Sequence, residues 1–110
     1  MNINERTENG VMVYKVEGRV DSAGAVDLDL ALQSAVAENH YRLILDMADV
    51  NYINSAGLRT LADILTRAKE HGGDLKLVAL NPKVSRVLQI VGFYNFFNIY
   101  DSVPNAMAEF

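Results

Sequence analysis

The serine at position 55 is the side chain with the clearest opportunity for chemistry, because it is expected to lie where a buried strand gives way to an amphipathic helix. It belongs to the stretch Asn54-Ser55-Ala56-Gly57-Leu58. Free backbone N–H groups and the positive end of the helix dipole favour an anion at the start of a helix. A phosphate on Ser55 would therefore be tolerated. The alternative is purely structural, because serine and asparagine are also preferred N-caps.

Other catalytic or metal-binding patterns have little support in the sequence. Asp46 and Asp49 are the nearest approach to an acid/base pair, but one ends a predicted strand and the other lies in the predicted turn after it, where aspartate is common for structural reasons. Ser55 lacks the glycine two residues before it that a nucleophile elbow requires. Neither His40 nor His71 has a second ligand at metal spacing. We therefore expect a protein that is not an enzyme and holds no metal or cofactor.

Two predicted elements position Ser55. The apolar residues 43–47 are typical of a strand buried on both faces, and residues 48–53 are predicted to form a loop after it. A helix is predicted next, because apolar residues recur at helical spacing, and it ends at the glycines 72–73. The apolar positions are Leu58, Leu61, Ala62, Leu65 and Ala68. Ser55 is thus expected in the first turn of this helix.

The rest of the chain alternates between strands and helices. A hairpin is predicted from residues 3–7 and 11–16, with Asn9-Gly10 as its turn, and residues 18–24 break the pattern. The later elements are a helix ending near Asn39, a strand at 75–79, a helix opened by Asn81-Pro82 and closed at Gly92, a short strand at 97–100 and a terminal helix from Asp101-Ser102 to Phe110.

This order predicts an α/β fold. Right-handed crossovers make the strands beginning at Val11, Leu43 and Leu75 parallel, so their carboxyl ends share one edge of the sheet. The loops 18–22, 52–57 and 80–82 meet at that edge, which usually carries the function in open α/β sheets. We expect a single domain over residues 1–110: a mixed sheet of four to five strands, formed by an N-terminal hairpin and parallel strands, with about four helices packed against it.

Composition narrows the functional classes. The chain has 110 residues, a formal net charge of −4 and no cysteine, and it has no basic cluster. These features argue against nucleic-acid binding, disulfides and a thiolate nucleophile. No apolar run is long enough to cross a bilayer, and the polar residues 1–6 do not resemble a signal peptide. A cytoplasmic protein without membrane insertion is expected.

Two groups of side chains have an ambiguous role. Phe93, Tyr94, Phe96 and Phe97 are predicted mainly to pack in the core, with a partner surface as the alternative. Arg59, on the exposed side of the predicted second helix, either contacts an acidic partner or only solvates the helix.

Five blocks of the sequence, in order, resemble the STAS family, which includes the bacterial anti-sigma-factor antagonists and domains of sulphate transporters. The resemblance covers nearly the whole chain, and the block containing Ser55 is the most specific. The blocks are Gly18-Arg19-Val20-Asp21, residues 43–50, residues 52–58, residues 72–78 and residues 97–102.

The resemblance implies a function in partner switching. Ser55 matches a family serine that is phosphorylated by an anti-sigma-factor serine kinase, an ATPase of histidine-kinase-like fold. In the family, the unphosphorylated form binds the kinase and frees the sigma factor, and a phosphatase acting on the phosphoserine restores that form. Asp21 matches a family acidic residue near the serine, although it is equally interpretable as a helix cap. The implied partner-binding residues are Asp21, Ser22, Asn54, Ser55, Ala56, Gly57, Arg59 and Asn81.

The sequence departs from the family pattern just before the serine. The usual aspartate is replaced by Asn54, which keeps a capping side chain but loses its negative charge, while Ala56 lacks a hydroxyl common in the motif. Slower phosphorylation is one consequence. Another is a STAS subunit that is never phosphorylated and docks on an ATPase or transporter, or acts as a sensory scaffold.

Overall fold

The computed structural model describes all residues 1–110 as one five-stranded mixed sheet flanked by four α-helices. The strands follow one another across the sheet in chain order; β1 and β2 are antiparallel and all other neighbours are parallel. The elements are β1 (Asn2–Glu8), β2 (Val11–Val20), α1 (Ser22–Ala37), β3 (Arg42–Ile53), α2 (Ser55–Glu70), β4 (Asp74–Val78), α3 (Pro82–Ile90), a 3-10 turn (Tyr94–Phe96), β5 (Ile99–Tyr100) and α4 (Val103–Ala108). The predicted α/β architecture is confirmed.

The sheet has a large apolar face and a smaller one, because successive side chains of a strand point to opposite sides. On the large face, α1, α2 and α3 pack on strand residues such as Tyr14, Leu45 and Leu77 in a cluster of 22 buried residues. On the other face, Ala106 of α4 packs on Val11, Val13, Ile44 and Val78. The helices that begin at the carboxyl edge of the parallel strands are therefore anchored by the main core.

The prediction of a loop at residues 48–53 is wrong, because β3 continues to Ile53. Two bulges explain the error. Strand β2 pairs Lys15 with Asp46 and then Glu17 with Asp49, so β3 has one more residue than β2 between these two pairs. A second extra residue of β3 precedes the pair Val20↔Ile53. The buried residues Met47, Val50 and Ile53 are consequently three positions apart, and the two-residue period typical of a strand is lost.

The break predicted at residues 18–24 is also wrong in extent. Strand β2 continues to Val20, and α1 begins at Ser22, two residues before Gly24. Gly18 has a φ of +118°, a conformation that disfavours other residues, and it accommodates the irregular end of the strand. The connection between β2 and α1 is therefore only one residue long.

None of the four α-helices is both long and apolar enough to cross a lipid bilayer.

Candidate functional site

Helices α1 and α2 begin in the same way at the carboxyl edge of the sheet. Asp21 caps α1 by accepting a hydrogen bond from the backbone N–H of Gly24 at 2.9 Å, and Asn54 caps α2 by accepting one from Gly57 at 2.9 Å. The segments 21–24 and 54–57 read Asp-Ser-Ala-Gly and Asn-Ser-Ala-Gly. Ser55 is thus the first residue of α2 and lies in the first turn, as predicted, and its side chain is exposed.

The two capped starts lie side by side because β2 and β3 end as a pair. Val20 is the partner of Ile53, and the N–H of Asn54 donates to the carbonyl of Val20 at 2.9 Å. The capping bond of Asp21 supports its interpretation as a cap. Asn54 makes the bond expected of a cap without the negative charge of the usual aspartate.

Two glycines allow both helix starts to approach the strands closely. A Cβ atom on Gly57 would lie 2.5 Å from Cγ1 of Val20, and one on Gly24 would lie 2.3 Å from the carbonyl oxygen of Arg19. Both distances are below any normal contact, so a larger residue at either position would force its neighbours to move. Gly57 is buried, and its small size lets the start of α2, with Ser55, pack closely on the ends of β2 and β3.

A groove between α1 and α2 brings together several of the predicted site residues. Its volume is about 510 Å³, and Ser22, Ala56 and Arg59 contribute to its walls. Exposed Val26 and Leu30 add apolar surface from α1. The exposed outer side of the two helix starts is therefore continuous with this groove.

Asn81 is separate from this arrangement. It caps α3 by accepting a hydrogen bond from the N–H of Lys83 at 2.9 Å, at the carboxyl edge of β4. Arg59 lines the groove between α1 and α2 and also a groove between α2 and the end of α3, and Asn81 lines neither. The structure thus places Asn81 on the predicted edge without bringing it to Ser55.

A second, more apolar groove lies between α2 and the end of α3. It has a volume of about 310 Å³ and is lined by Ser55, Leu58, Arg59, Ala62, Val91 and Phe93. Val91 is not among the predicted site residues. The aromatic cluster next to it in the sequence was the signal that could have indicated a surface here. Phe97 is buried, in agreement with the favoured core role, whereas Phe96 is exposed and Phe93 is half-buried.

A cation–π pair at the same edge was also absent from the predicted site residues. The guanidinium of Arg19 lies 4.2 Å from the centre of the Tyr52 ring, a cation–π contact between the ends of β2 and β3. Both side chains are exposed. Their positions are set by the extension of both strands, which the local sequence pattern did not predict.

The two aspartates considered as an acid/base pair share a lysine instead. Lys15 Nζ lies 3.1 Å from Asp49 Oδ2 and 3.6 Å from Asp46 Oδ1. The hydrogen bond that Lys15 donates to Asp49 raises the pKa of Lys15, and the charge of Asp46 raises it further. This arrangement is an ion-pair cluster across β2 and β3, which accounts for both carboxylates structurally.

Known proteins resemble this chain in sequence over most of its length. The STAS domain sequence model matches residues 2–106. The chain is 33% identical over 102 residues to BtrV of Bordetella bronchiseptica, a match covering 93% of this chain and 88% of that protein. It is 28% identical to the anti-sigma-F factor antagonist RsfB of Mycobacterium tuberculosis, covering 90% and 80%.

A solved structure extends this similarity to three dimensions. The crystal structure of an anti-sigma factor antagonist from Mycobacterium paratuberculosis matches with a TM-score of 0.88 and 26% identity, covering 98% of this chain and 92% of that one. The backbone similarity therefore extends over almost all of this chain. The chain belongs to the STAS domain family.

Proposed function

We propose that this protein is an anti-sigma factor antagonist whose partner binding is switched off by phosphorylation of Ser55. The observation that carries the proposal is the exposed Ser55 hydroxyl at the first position of α2, where the capping bond of Asn54 and the packing of Gly57 fix the backbone. RsfB and the Mycobacterium paratuberculosis protein, both named as antagonists, support the class. In its unphosphorylated form the protein would bind an anti-sigma-factor kinase and release a sigma factor in the cytoplasm.

The proposed contact surface follows the carboxyl edge of the sheet. The residues proposed to contact the partner with Ser55 are those of the two helix starts and, farther along the same edge, the cap of α3: Asp21, Ser22, Asn54, Ala56, Gly57, Arg59 and Asn81. The kinase is expected to be an ATPase of histidine-kinase-like fold, and a phosphatase would remove the phosphate from Ser55. The chain acts as a single domain that supplies no catalytic group.

A phosphate can act here without any change of fold. It adds roughly −1.5 to −2 charges at neutral pH and is compatible with the free N–H groups of the first helical turn. A partner docked over Ser55 would then face desolvation and repulsion. Since about 1.4 kcal/mol changes an affinity tenfold, a penalty of a few kcal/mol is enough to abolish useful binding.

Intact-mass measurement of the endogenous protein, together with purification of its partners, tests the proposal. A phosphate-sized mass increase that is absent from Ser55→Ala and retained by Ser22→Ala is the expected result. Ser22 is the matched control because it occupies the same position in α1. Ser55→Ala should retain its anti-sigma factor under every growth condition. Equal partner affinity before and after complete phosphorylation would contradict the switch.

Asn54 favours a second candidate function. Because it replaces a carboxylate that the family usually places before the serine, the chain is also suited to be a constitutive docking subunit of an ATPase or transporter, or a sensory scaffold. The same purification separates the two functions. An unmodified protein that always co-purifies with an ATPase or transporter subunit would favour the second.

A further inference from the structure

Arg59 is placed to respond directly to a phosphate on Ser55. The two residues are four positions apart on α2, so their side chains are neighbours on one face of the helix. Both are exposed, and both line the groove between α2 and α3. Arg59 carries the only charge in that lining, which otherwise consists of Ser55 and four apolar residues.

The guanidinium of Arg59 is unpaired in the unmodified protein. It makes no ion pair within 4.0 Å and no side-chain hydrogen bond. The nearest carboxylate along the helix face, Asp63, accepts a hydrogen bond from Gln33 Nε2 at 3.2 Å. Arg67, one turn beyond Asp63, donates to Gln33. Arg59 is therefore free to bind an external anion.

The groove beside this cation is suited to an apolar side chain. Leu58, Ala62, Val91 and Phe93 form its walls, and Val91 remains 47% exposed. Ile90, next to Val91, is 73% exposed. Ile90 and Val91 thus extend the apolar surface of the groove beyond its walls. An apolar groove with one cation on its rim complements an apolar residue next to a carboxylate.

We propose, on the basis of the function proposed above, that this groove binds a segment of the anti-sigma factor that carries an apolar side chain beside a carboxylate. The apolar side chain fills the groove and the carboxylate pairs with Arg59. A phosphate on Ser55 pairs with Arg59 instead. The partner's carboxylate then loses its ion pair with Arg59 and is repelled by the negative charge of the phosphate.

The phosphate is expected to win this competition for three reasons. It carries more charge than a carboxylate and offers several acceptor oxygens to the planar guanidinium. It is attached to the same helix as Arg59, so the pairing is intramolecular and has a high effective concentration. It also repels the carboxylate that it replaces. The switch therefore removes an attraction and adds a repulsion at one point.

Phosphorus NMR on the isolated protein tests the capture of Arg59. Phosphoserine is installed at position 55 during translation, and the second pKa of its phosphate is measured by pH titration. Pairing with Arg59 should lower this pKa by about 0.3 unit or more relative to the Arg59→Gln variant. The control is Lys69→Gln, which removes an exposed cation from the last turn of α2 and should leave the phosphate pKa unchanged. Equal pKa values in all three proteins would overturn the capture.

Binding to the co-purified anti-sigma factor tests the groove and separates the two proposals. Arg59→Gln should weaken binding of the unmodified protein several-fold and should shrink the effect of phosphorylation. Ala62→Leu, which fills the groove, should weaken binding, whereas Ala108→Leu on α4 should not. If phosphorylation weakens binding equally with and without Arg59, the role of Arg59 is refuted and the switch survives. If phosphorylation has no effect on binding, the proposed function itself fails.

Discussion

Replacing the two helix-start glycines by alanine should destabilise the protein unequally, because the added Cβ atoms meet different neighbours. In Gly24→Ala the Cβ would lie 2.3 Å from the Arg19 carbonyl oxygen, which belongs to the backbone of β2. In Gly57→Ala it would lie 2.5 Å from a methyl group of Val20 and 2.9 Å from Cγ1 of Ile53. A backbone carbonyl moves less readily than a side chain, because its displacement also shifts the flanking residues of the strand.

The magnitude follows from opposing terms. Alanine is favoured over glycine in a helix by up to about 1 kcal/mol, and overpacking a tight site costs about 1–3 kcal/mol. For Gly57→Ala we therefore expect a net loss of about 1 kcal/mol in the free energy of unfolding. Gly24→Ala should lose at least about 2 kcal/mol, because relief of its contact requires displacement of β2 or of the α1 start.

Urea unfolding followed by far-ultraviolet circular dichroism measures both losses, since the chain has no tryptophan for fluorescence. Unchanged slopes of free energy against urea would show that the native state remains intact. A Gly24→Ala protein at least as stable as Gly57→Ala would refute the argument that backbone contacts dominate. The Gly57→Ala variant should also show altered partner binding, because relief of its contact displaces the turn that carries Ser55.

Two further predictions concern the cap and a buried phenol. Asn54→Ala removes the acceptor for the Gly57 N–H and should cost about 1 kcal/mol in urea unfolding, while Asn54→Asp keeps the acceptor and should stay within about 0.5 kcal/mol of the parent; equal losses would contradict the capping role. Burial, with a smaller contribution from Glu5, raises the pKa of Tyr14 from 10.0 to about 12. The folded state therefore binds the Tyr14 proton more tightly than the unfolded state does. The resulting stabilisation of the folded state is complete below pH 10 and is lost as the pH rises from 10 to 12, which lowers the free energy of unfolding by up to about 2.7 kcal/mol. Tyr14→Phe should lack that part of the decline in stability with pH; an identical decline in both proteins would show that Tyr14 does not titrate as described.

Local sequence was sufficient for the features that depend on nearest neighbours along the chain. The start of α2 at Ser55 follows from a capping residue and an apolar stripe at helical spacing, both of which act within a few turns. The alternation of strands and helices likewise predicted the parallel strands and their shared carboxyl edge, because crossover handedness leaves few arrangements. The family resemblance carried the assignment of Ser55 as a phosphorylation site, which remains a prediction.

The features decided by tertiary structure depend on residues that are distant along the chain. Strand β3 continues through residues 48–53 only because β2 supplies hydrogen-bonding partners past two bulges, and no local period reveals such pairing. The groove beside Ser55 forms where Val91 and Phe93 meet α2, more than thirty positions after the serine. The sequence by itself determined where a phosphate would be tolerated. The packing of distant segments decided what lies beside it, because side-chain neighbours are fixed by the core and not by the order of the chain.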